Sequence, residues 1–268
     1  KESSRAEIIT KEDNLYIEKN IVGKKLHEII EGLFLDSLIK LPIKKVMTYQ
    51  LSDGWETVNF VRPAKNLVIL HGSELINATV LGIKSTRTSI GHRFESKNKI
   101  IDLGHSNDYE EKILKEGNVI ASFEKRKNFI QKAINIATQS LKKNVLAICD
   151  DDLIEEVTAL VEMPNILIGE FESKYLDVPQ ECLILTMKSN QKYFPIIDSD
   201  NKLTNQFLIV SNLTPVNPQL IIEGNEKVIR PRLADAEFFF KQDKKSTLIE
   251  MSHKLDKIIY HNKLGSQS

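Results

Sequence analysis

The chain has 268 residues, enough for one large or two ordinary domains with a sizeable core. Hydrophobic residues make up 41% and charged residues 28%, an ordinary soluble globular composition. Lys plus Arg and Asp plus Glu both total 37, so the net charge is zero, which excludes a globally basic nucleic-acid binder and restricts any such site to a local patch. No run of about 18 apolar residues occurs, so we expect no membrane partner.

The two cysteines indicate a reducing compartment. Cys149 and Cys182 form neither a C-x-x-C pair nor a disulfide framework, which predicts a cytoplasmic protein. The chain begins Lys-Glu-Ser-Ser without Met and ends just after a helical pattern. We therefore expect an internal fragment of a longer protein.

The first predicted domain, residues 1–40, is a hairpin followed by a helix. Residues 6–9 and 15–21 are β-prone runs around a polar turn. Apolar residues from Leu26 to Leu38 fall largely at helical spacing, and Pro42 ends the pattern.

The second predicted domain, residues 41–216, is an α/β body. Three short apolar runs, at 58–61, 67–70 and 75–81, predict a β-meander. The polar stretch 84–98 carries several cations and suits an anion-binding loop, because Gly91 permits close backbone approach and arginines fork onto phosphate oxygens. A solvated connection is the alternative for this stretch. Its cations are Lys84, Arg87, His92, Arg93 and Lys97.

A helical insertion is predicted near 108–162. Its first helical region, 109–141, has a basic flank that we interpret as solvated, and Asp150 to Asp152 favour an N-terminal helix cap over a cation site. Strands at 99–103, 166–171, 193–197 and 207–210 and a short helix at 179–187 complete the predicted body.

The last predicted domain, residues 217–268, starts with a helix at Asn217 and Pro218. Pro231 is expected to kink or restart it. Residues 224–245 concentrate cations, acids and three phenylalanines. Arg232 with Asp235 and Glu237 with Lys241 have the spacing of surface ion pairs, whereas an anionic partner is the other explanation of the arginines. We expect the three phenylalanines, residues 238–240, to be core residues.

Known nucleotide and zinc-protease motifs are absent from the sequence. It contains no G-x-x-x-x-G-K-[ST], G-x-G-x-x-G or H-E-x-x-H, and none of its six histidines precedes an Asp, so we expect no metal site. What remains is a set of basic segments beside aromatic residues, in which cations neutralise phosphates and aromatics stack on unpaired bases. The candidate RNA contacts are Arg62, Arg87, His92, Arg93, Lys188, Lys192, Lys227, Arg230 and Arg232.

Long motifs resemble one family, the β subunit of the bacterial glycyl-tRNA synthetase built from separate α and β chains. They lie at residues 40–47 (KLPIKKVM), 60–63 (FVRP), 91–94 (GHRF), 185–195 (LTMKSNQKYFP) and 224–240 (GNEKVIRPRLADAEFFF). Two departures occur. Residues 48–50 are Thr-Tyr-Gln where many members have Arg-Trp-Gly, and Met163 stands where Trp is common.

The resemblance implies part of a heterotetrameric, ATP-dependent ligase that joins glycine to tRNA(Gly). In that family the α subunit carries the adenylation site and binds ATP, while the β subunit holds the tRNA. The implied fold is α/β (α+β), a mixed sheet body with packed helices similar to the editing-type domain of the phenylalanyl-tRNA synthetase β subunit. The start of a truncated HD-like helical domain would follow.

Three roles of the fragment stay open at this point. It binds tRNA as a non-catalytic scaffold, it hydrolyses mischarged tRNA, or its basic segments mainly contact the α subunit. We expect Arg230 and Arg232 to organise the hinge into the helical region first and to contact tRNA second.

Overall fold

A computed structural model describes residues 6–11, 14–19, 23–141, 144–255, 258–261 and 265–266. The predicted mixture of helices and strands is confirmed. The chain divides into two compact units. Unit 1 comprises residues 1–90 and 100–112, and unit 2 comprises residues 91–99 and 113–268.

Unit 1 contains one helix and a series of short two-stranded antiparallel ladders. The predicted N-terminal hairpin is confirmed as β1 paired with β2, and so is the helix that ends before Pro42. The elements in order are β1 (Ala6–Lys11), β2 (Asn14–Lys19), α1 (Leu26–Lys40), β3 (Met47–Gln50), β4 (Thr57–Phe60), β5 (Leu70–His71), β6 (Glu74–Leu75), β7 (Thr79–Val80), β8 (Ile83–Lys84), β9 (Thr88–Ile90) and β10 (Ile100–Asp102).

The predicted β-meander is wrong. β4 pairs with β3, while β5 pairs with β6 and β7 with β8, each as a separate ladder. The chain doubles back at once because Gly72, Leu81 and Gly82 adopt positive φ angles of 61°, 54° and 72°. Such angles belong to tight hairpin turns whose twist matches the flanking strands.

Unit 2 contains a four-stranded antiparallel sheet in the order β11-β13-β14-β12. A 3₁₀ turn (Ser106–Asp108) precedes α2, which runs from unit 1 into unit 2, and a 3₁₀ turn (Ser173–Asp177) and a π-helical turn (Met187–Gln191) flank α5. The elements are α2 (Tyr109–Gly117), α3 (Phe123–Ser140), β11 (Leu146–Ala147), α4 (Asp151–Leu160), β12 (Asn165–Glu170), α5 (Gln180–Thr186), β13 (Phe194–Ile197), β14 (Leu203–Ser211), α6 (Pro218–Asp243), α7 (Leu248–Leu255), β15 (Ile259–His261) and β16 (Gly265–Ser266).

The sheet has a hydrophobic core on each face. Along β14, Phe207 and Ile209 belong to one core, while Leu208 and the partly buried Val210 belong to the other. This alternation follows from the two-residue period of a strand. The first core is closed by α5 and α6, and the second by α3 and α4.

Helix α6 begins as predicted. The Asn217 side chain accepts a hydrogen bond from the Gln219 amide, and Pro218 occupies the first turn. The predicted restart at Pro231 does not occur, since α6 continues to Asp243. Ile229 and Leu233, which flank this proline, are fully buried in the first core and hold the helix there.

The other helical predictions hold with one refinement. The 109–141 region is two helices, separated at Asn118, which has φ 52°. Asp150 caps α4 by accepting from the Leu153 amide at 2.9 Å, so the predicted cap is confirmed. Arg126 belongs to the basic flank that was expected to be solvated, but it is partly buried and donates to the backbone carbonyls of Thr158 (2.9 Å), Ile120 and Ala121 (3.4 Å).

Candidate nucleic-acid interface

The nine predicted RNA contacts divide between the two units. Arg62 and Arg87 belong to unit 1, and the other seven belong to unit 2. Arg62 is exposed just after β4. Arg87 is half-buried, and its guanidinium donates to the Ser73 carbonyl at 3.3 Å. Arg87 is therefore partly committed to holding unit 1 together.

Lys188 lies in the π-helical turn and forms an ion pair with Asp150. Although burial opposes ionisation, the Lys188 ammonium and the Leu153 amide hold the pKa of Asp150 below its usual value. Lys188 thus joins the turn after α5 to the N-terminus of α4.

Lys192 ends the same turn in the left-handed conformation, with φ 59°. Its ammonium lies 2.9 Å from a carboxylate oxygen of Glu156 on α4 and donates to the Ser189 carbonyl at 3.0 Å. Both lysines of this motif are therefore paired with carboxylates of α4.

Arg230 is also paired. Its Nε lies 2.8 Å from the Glu172 carboxylate, and its Nη2 lies 3.7 Å from that of Glu226. Glu226 in turn accepts the Glu170 backbone amide at 2.9 Å. These contacts fasten the middle of α6 to the segment around the end of β12.

Lys227 and Arg232 differ from Arg230. Both side chains are exposed on α6, and neither forms an ion pair with any residue that the structure describes. The expected pair of Glu237 with Lys241 is present, whereas Arg232 and Asp235 form no such pair in the described part of the chain. Lys227 and Arg232 are free to meet an anion.

Residues 91–99, which we call the GHRF loop, contain the other two predicted contacts. His92 is buried, with 1% of its surface exposed, and so offers no surface to RNA. Its neighbour Arg93 is exposed, with its guanidinium carbon 5.3 Å from the centre of the Phe94 ring. Of the two predicted contacts in this loop, Arg93 is the one that RNA could reach.

Two exposed aromatics on α6 were not anticipated. Phe240 packs on the first core as expected, but Phe238 and Phe239 are 56% and 62% exposed, so the prediction of three core phenylalanines is wrong for two. The helical period explains this, because three consecutive residues cannot share one face. Phe240 lies seven residues, about two helical turns, after the buried Leu233, so the spacing predicts that Phe240 is a core residue. Phe238 lies five residues after Leu233, and the same spacing excludes it from the core face.

Two features are absent from the part of the chain that the structure describes. They contain no group of three or more His, Cys, Asp or Glu side chains that could hold a metal ion. No helix among them is long and apolar enough to cross a membrane.

Fold and surface together define a mixed α/β protein with paired cations beside its sheet and unpaired cations at its surface. The family model described as "Glycyl-tRNA synthetase beta subunit" matches residues 1–268. The chain is 50% identical over 257 residues to the glycine–tRNA ligase beta subunit of Methylobacillus flagellatus, covering 96% of the chain and 36% of that protein.

Two further relatives carry the same name. The protein of Janthinobacterium sp. (strain Marseille) is 50% identical over 257 residues, 96% of the chain and 37% of the relative. The protein of Nitrosomonas europaea is 49% identical over 258 residues, 96% of the chain and 36% of the relative. The chain belongs to the glycyl-tRNA synthetase beta subunit family and spans little more than a third of the length of these relatives.

Proposed function

We propose that the chain is a tRNA-binding region of a glycine–tRNA ligase, in which it supports the ATP-dependent attachment of glycine to tRNA(Gly). In this proposal the α subunit binds ATP and carries the adenylation site, and the enzyme works in the cytoplasm. Family membership supports the reaction. The observation that carries tRNA binding is that three of the predicted contacts in unit 2, Arg93, Lys227 and Arg232, are exposed cations without an ion pair to any described residue.

These unpaired cations differ electrostatically from the paired cations Lys188, Lys192 and Arg230. A phosphate approaching Lys188, Lys192 or Arg230 must compete with a carboxylate already in contact. A phosphate approaching an unpaired cation displaces only counterions, and their release favours binding. We therefore assign the main phosphate contacts to the unpaired group.

Binding of the chain to tRNA(Gly) across a salt series tests the proposal. The logarithm of the affinity should fall linearly with the logarithm of salt concentration. Lys227→Gln and Arg232→Gln should each weaken binding and reduce the magnitude of the slope by about one. Lys241→Gln is the matched control, because Lys241 lies on the same helix but is paired with Glu237, and it should change the slope far less. Binding without salt dependence contradicts the proposal.

Contact with the α subunit is a second candidate role, and unit 1 supports it. An open groove of about 790 Å³ lies among α1, the β3–β4 hairpin and the β7–β8 turn. Its lining is largely apolar and includes Leu35, Ile39, Val58, Phe60 and Leu81. Co-purification with the α subunit, compared between the chain and its Ile39→Asp variant, tests this role. Unchanged recovery of the α subunit would rule the groove out.

Hydrolysis of mischarged tRNA is the alternative that follows from a fold similar to the editing-type domain of the phenylalanyl-tRNA synthetase β subunit. A sheet with helices on both faces is compatible with that likeness. His92 lies 4.0 Å from the exposed Glu162 carboxylate, but burial of the ring leaves a substrate no access to the imidazole. Incubating the chain with alanyl- or seryl-tRNA(Gly) tests the alternative, and deacylation no faster than with heat-killed protein refutes it.

A further inference from the structure

We propose that Arg93 and Phe94 form a stacking site for one unpaired nucleotide of an RNA, held ready by the other residues of the GHRF loop. The proposal rests on the tRNA-binding function proposed above and names the part of the RNA that unit 2 would recognise. It joins two observations, which are a widely exposed aromatic ring and a loop whose backbone is fixed from several sides.

His92 fixes the loop from within. Its Nδ1 accepts the backbone amides of Phe94 (3.3 Å) and Glu95 (3.1 Å), and its own amide donates to the Gly117 carbonyl at 2.7 Å. An Nδ1 that accepts carries no proton, so the remaining ring N–H is on Nε2. The three residues after His92 are thereby held in a tight turn around a buried ring.

Glu95 fixes the other side of the loop. One carboxylate oxygen accepts the backbone amide of Thr214, and the other accepts the side-chain amide of Asn118 at 2.8 Å. These partners follow β14 and α2, so the loop is tied to two separate segments of unit 2. The negative charge of Glu95 is occupied by donors, which reduces its repulsion of an approaching phosphate.

The backbone at Gly91 packs directly against the backbone at Gly117. A Cβ atom added there would lie 2.5 Å from the Gly117 Cα atom and 2.9 Å from the Gly117 carbonyl oxygen. The amide of Lys97 donates to the Glu116 carbonyl at 2.9 Å, which closes the loop at its other end. Little conformational entropy is left for a ligand to remove from this loop.

Phe94, at the tip of this loop, does not pack against the rest of unit 2. It is 71% exposed, although the residues two positions before and after it, His92 and Ser96, are buried and partly buried. Arg93 lies over its ring, at the distance of a cation–π contact. An exposed ring in contact with a guanidinium matches a nucleotide, whose base stacks on π surfaces and whose phosphate pairs with the cation.

Charge distinguishes this site from the other prominent exposed aromatic on a turn. Trp55 is 90% exposed on the β3–β4 turn, which Asp53 holds by accepting the amides of Trp55 and Glu56. Its immediate surroundings are acidic and would repel phosphates. Trp55 is therefore a matched control, an exposed aromatic on a braced turn without the cation.

The test measures binding of tRNA(Gly) to the chain and to Phe94→Leu, Phe94→Tyr, Arg93→Gln and Trp55→Leu variants. Phe94→Leu keeps an apolar side chain but loses the π face, and should weaken binding about fivefold to 100-fold with an unchanged salt slope. Phe94→Tyr should bind as the original does. Arg93→Gln should reduce the magnitude of the slope by about one, and Trp55→Leu should change nothing.

Two RNA arms distinguish the possible sources of the nucleotide. One uses tRNA(Gly) without its single-stranded 3′ end, and the other uses tRNA with abasic residues in its loops. The modified tRNA that lacks the stacked nucleotide should bind the original chain and the Phe94→Leu variant equally well. If both arms still distinguish the two proteins, the stack is not on an unpaired base and the proposal is overturned.

Failure of this proposal differs from failure of the proposed function. If the unaltered chain does not bind tRNA, the tRNA-binding function fails and the stacking site fails with it. If the chain binds with a salt-dependent affinity that Phe94→Leu leaves unchanged, only the stacking site is overturned. Loss of α-subunit co-purification in Phe94→Leu, with RNA binding intact, overturns it in favour of a protein contact.

Discussion

Replacing Gly169 by alanine should destabilise unit 2, because at this residue β12 lies directly against the fully buried ring of Phe207. A Cβ atom at this position would lie 2.7 Å from Cζ and 3.0 Å from Cε2 of Phe207, and 3.2 Å from Cδ1 of Ile209. Ordinary contacts between carbon atoms are about 3.5–4.0 Å, so the Phe207 ring must move.

The magnitude follows from the surroundings of that ring. Phe207 is fully buried, with the Tyr193 ring centre 4.8 Å away and the Phe171 ring centre 6.4 Å away. Because aromatic neighbours contact the ring, movement strains the first core. Overpacking of this kind lowers the free energy of unfolding by about 1–3 kcal/mol. For a unit of this size the melting temperature should fall by roughly 2–4 °C per kcal/mol.

Urea and thermal unfolding of the chain, followed by circular dichroism, measure this effect. Gly224→Ala is the matched control. Gly224 lies inside α6, and a Cβ atom added there would meet no atom within 4 Å. Alanine is a better helix former than glycine, so this variant should be more stable by about 0.5–1 kcal/mol. The same substitution should thus have opposite signs at the two sites.

Two results would refute the reasoning. A stability change at Gly169 below about 0.5 kcal/mol would mean that the core yields freely. Equal destabilisation by Gly169→Ala in a Phe207→Leu background would mean that the ring is not the obstacle. The smaller leucine should instead relieve most of the clash, and the two substitutions should be strongly non-additive.

Three further outcomes are expected. Burial raises the pKa of Tyr193 to about 12, so this side chain ionises at a lower pH in the unfolded chain than in the folded one. Between pH 10 and 12 the free energy of unfolding should therefore fall, and it should fall less in Tyr193→Phe. Cys149 is exposed as a residue, but desolvation of its thiol, with a smaller contribution from the Asp150 carboxylate, raises the thiol pKa to about 11. Its alkylation by iodoacetamide, followed by mass spectrometry, should therefore be slow at pH 8 and accelerate toward pH 11, whereas in urea it should already be fast at pH 8. Arg126→Met removes three hydrogen bonds to backbone carbonyls and should lower the free energy of unfolding in urea by about 2–4 kcal/mol. Lys132 is exposed on the same helix, so Lys132→Met should cost little.

Much of unit 2 could be predicted because its signals are local. The caps at Asp150 and Asn217 and the alternation along residues 207–210 need only a few neighbouring residues. Unit 1 was harder to predict because its ladders are only a few residues long. One signal was present but not used: Asp53 and Gly54, with φ 77° at the glycine, form the turn that pairs β3 with β4.

The candidate site shows what sequence spacing omits. The pair of Glu237 with Lys241 is one helical turn apart and was expected. The partner of Lys192 is a carboxylate on a helix far away in sequence, and no periodicity reveals it. The burial of His92 was equally invisible, because it depends on the closeness of Gly91 to Gly117.

The motif at residues 185–195 helps to identify the family, but its chemistry in this structure is that of packing. Met187 and Tyr193 fill one core, Phe194 fills the other, and the two lysines between them are paired with carboxylates of α4. Because both faces of the sheet depend on this short segment, substitution there would disturb the fold before it disturbed an RNA contact. Recognition is better sought where a charged or aromatic side chain has no structural task, and in unit 2 the tip of the GHRF loop meets that condition most fully.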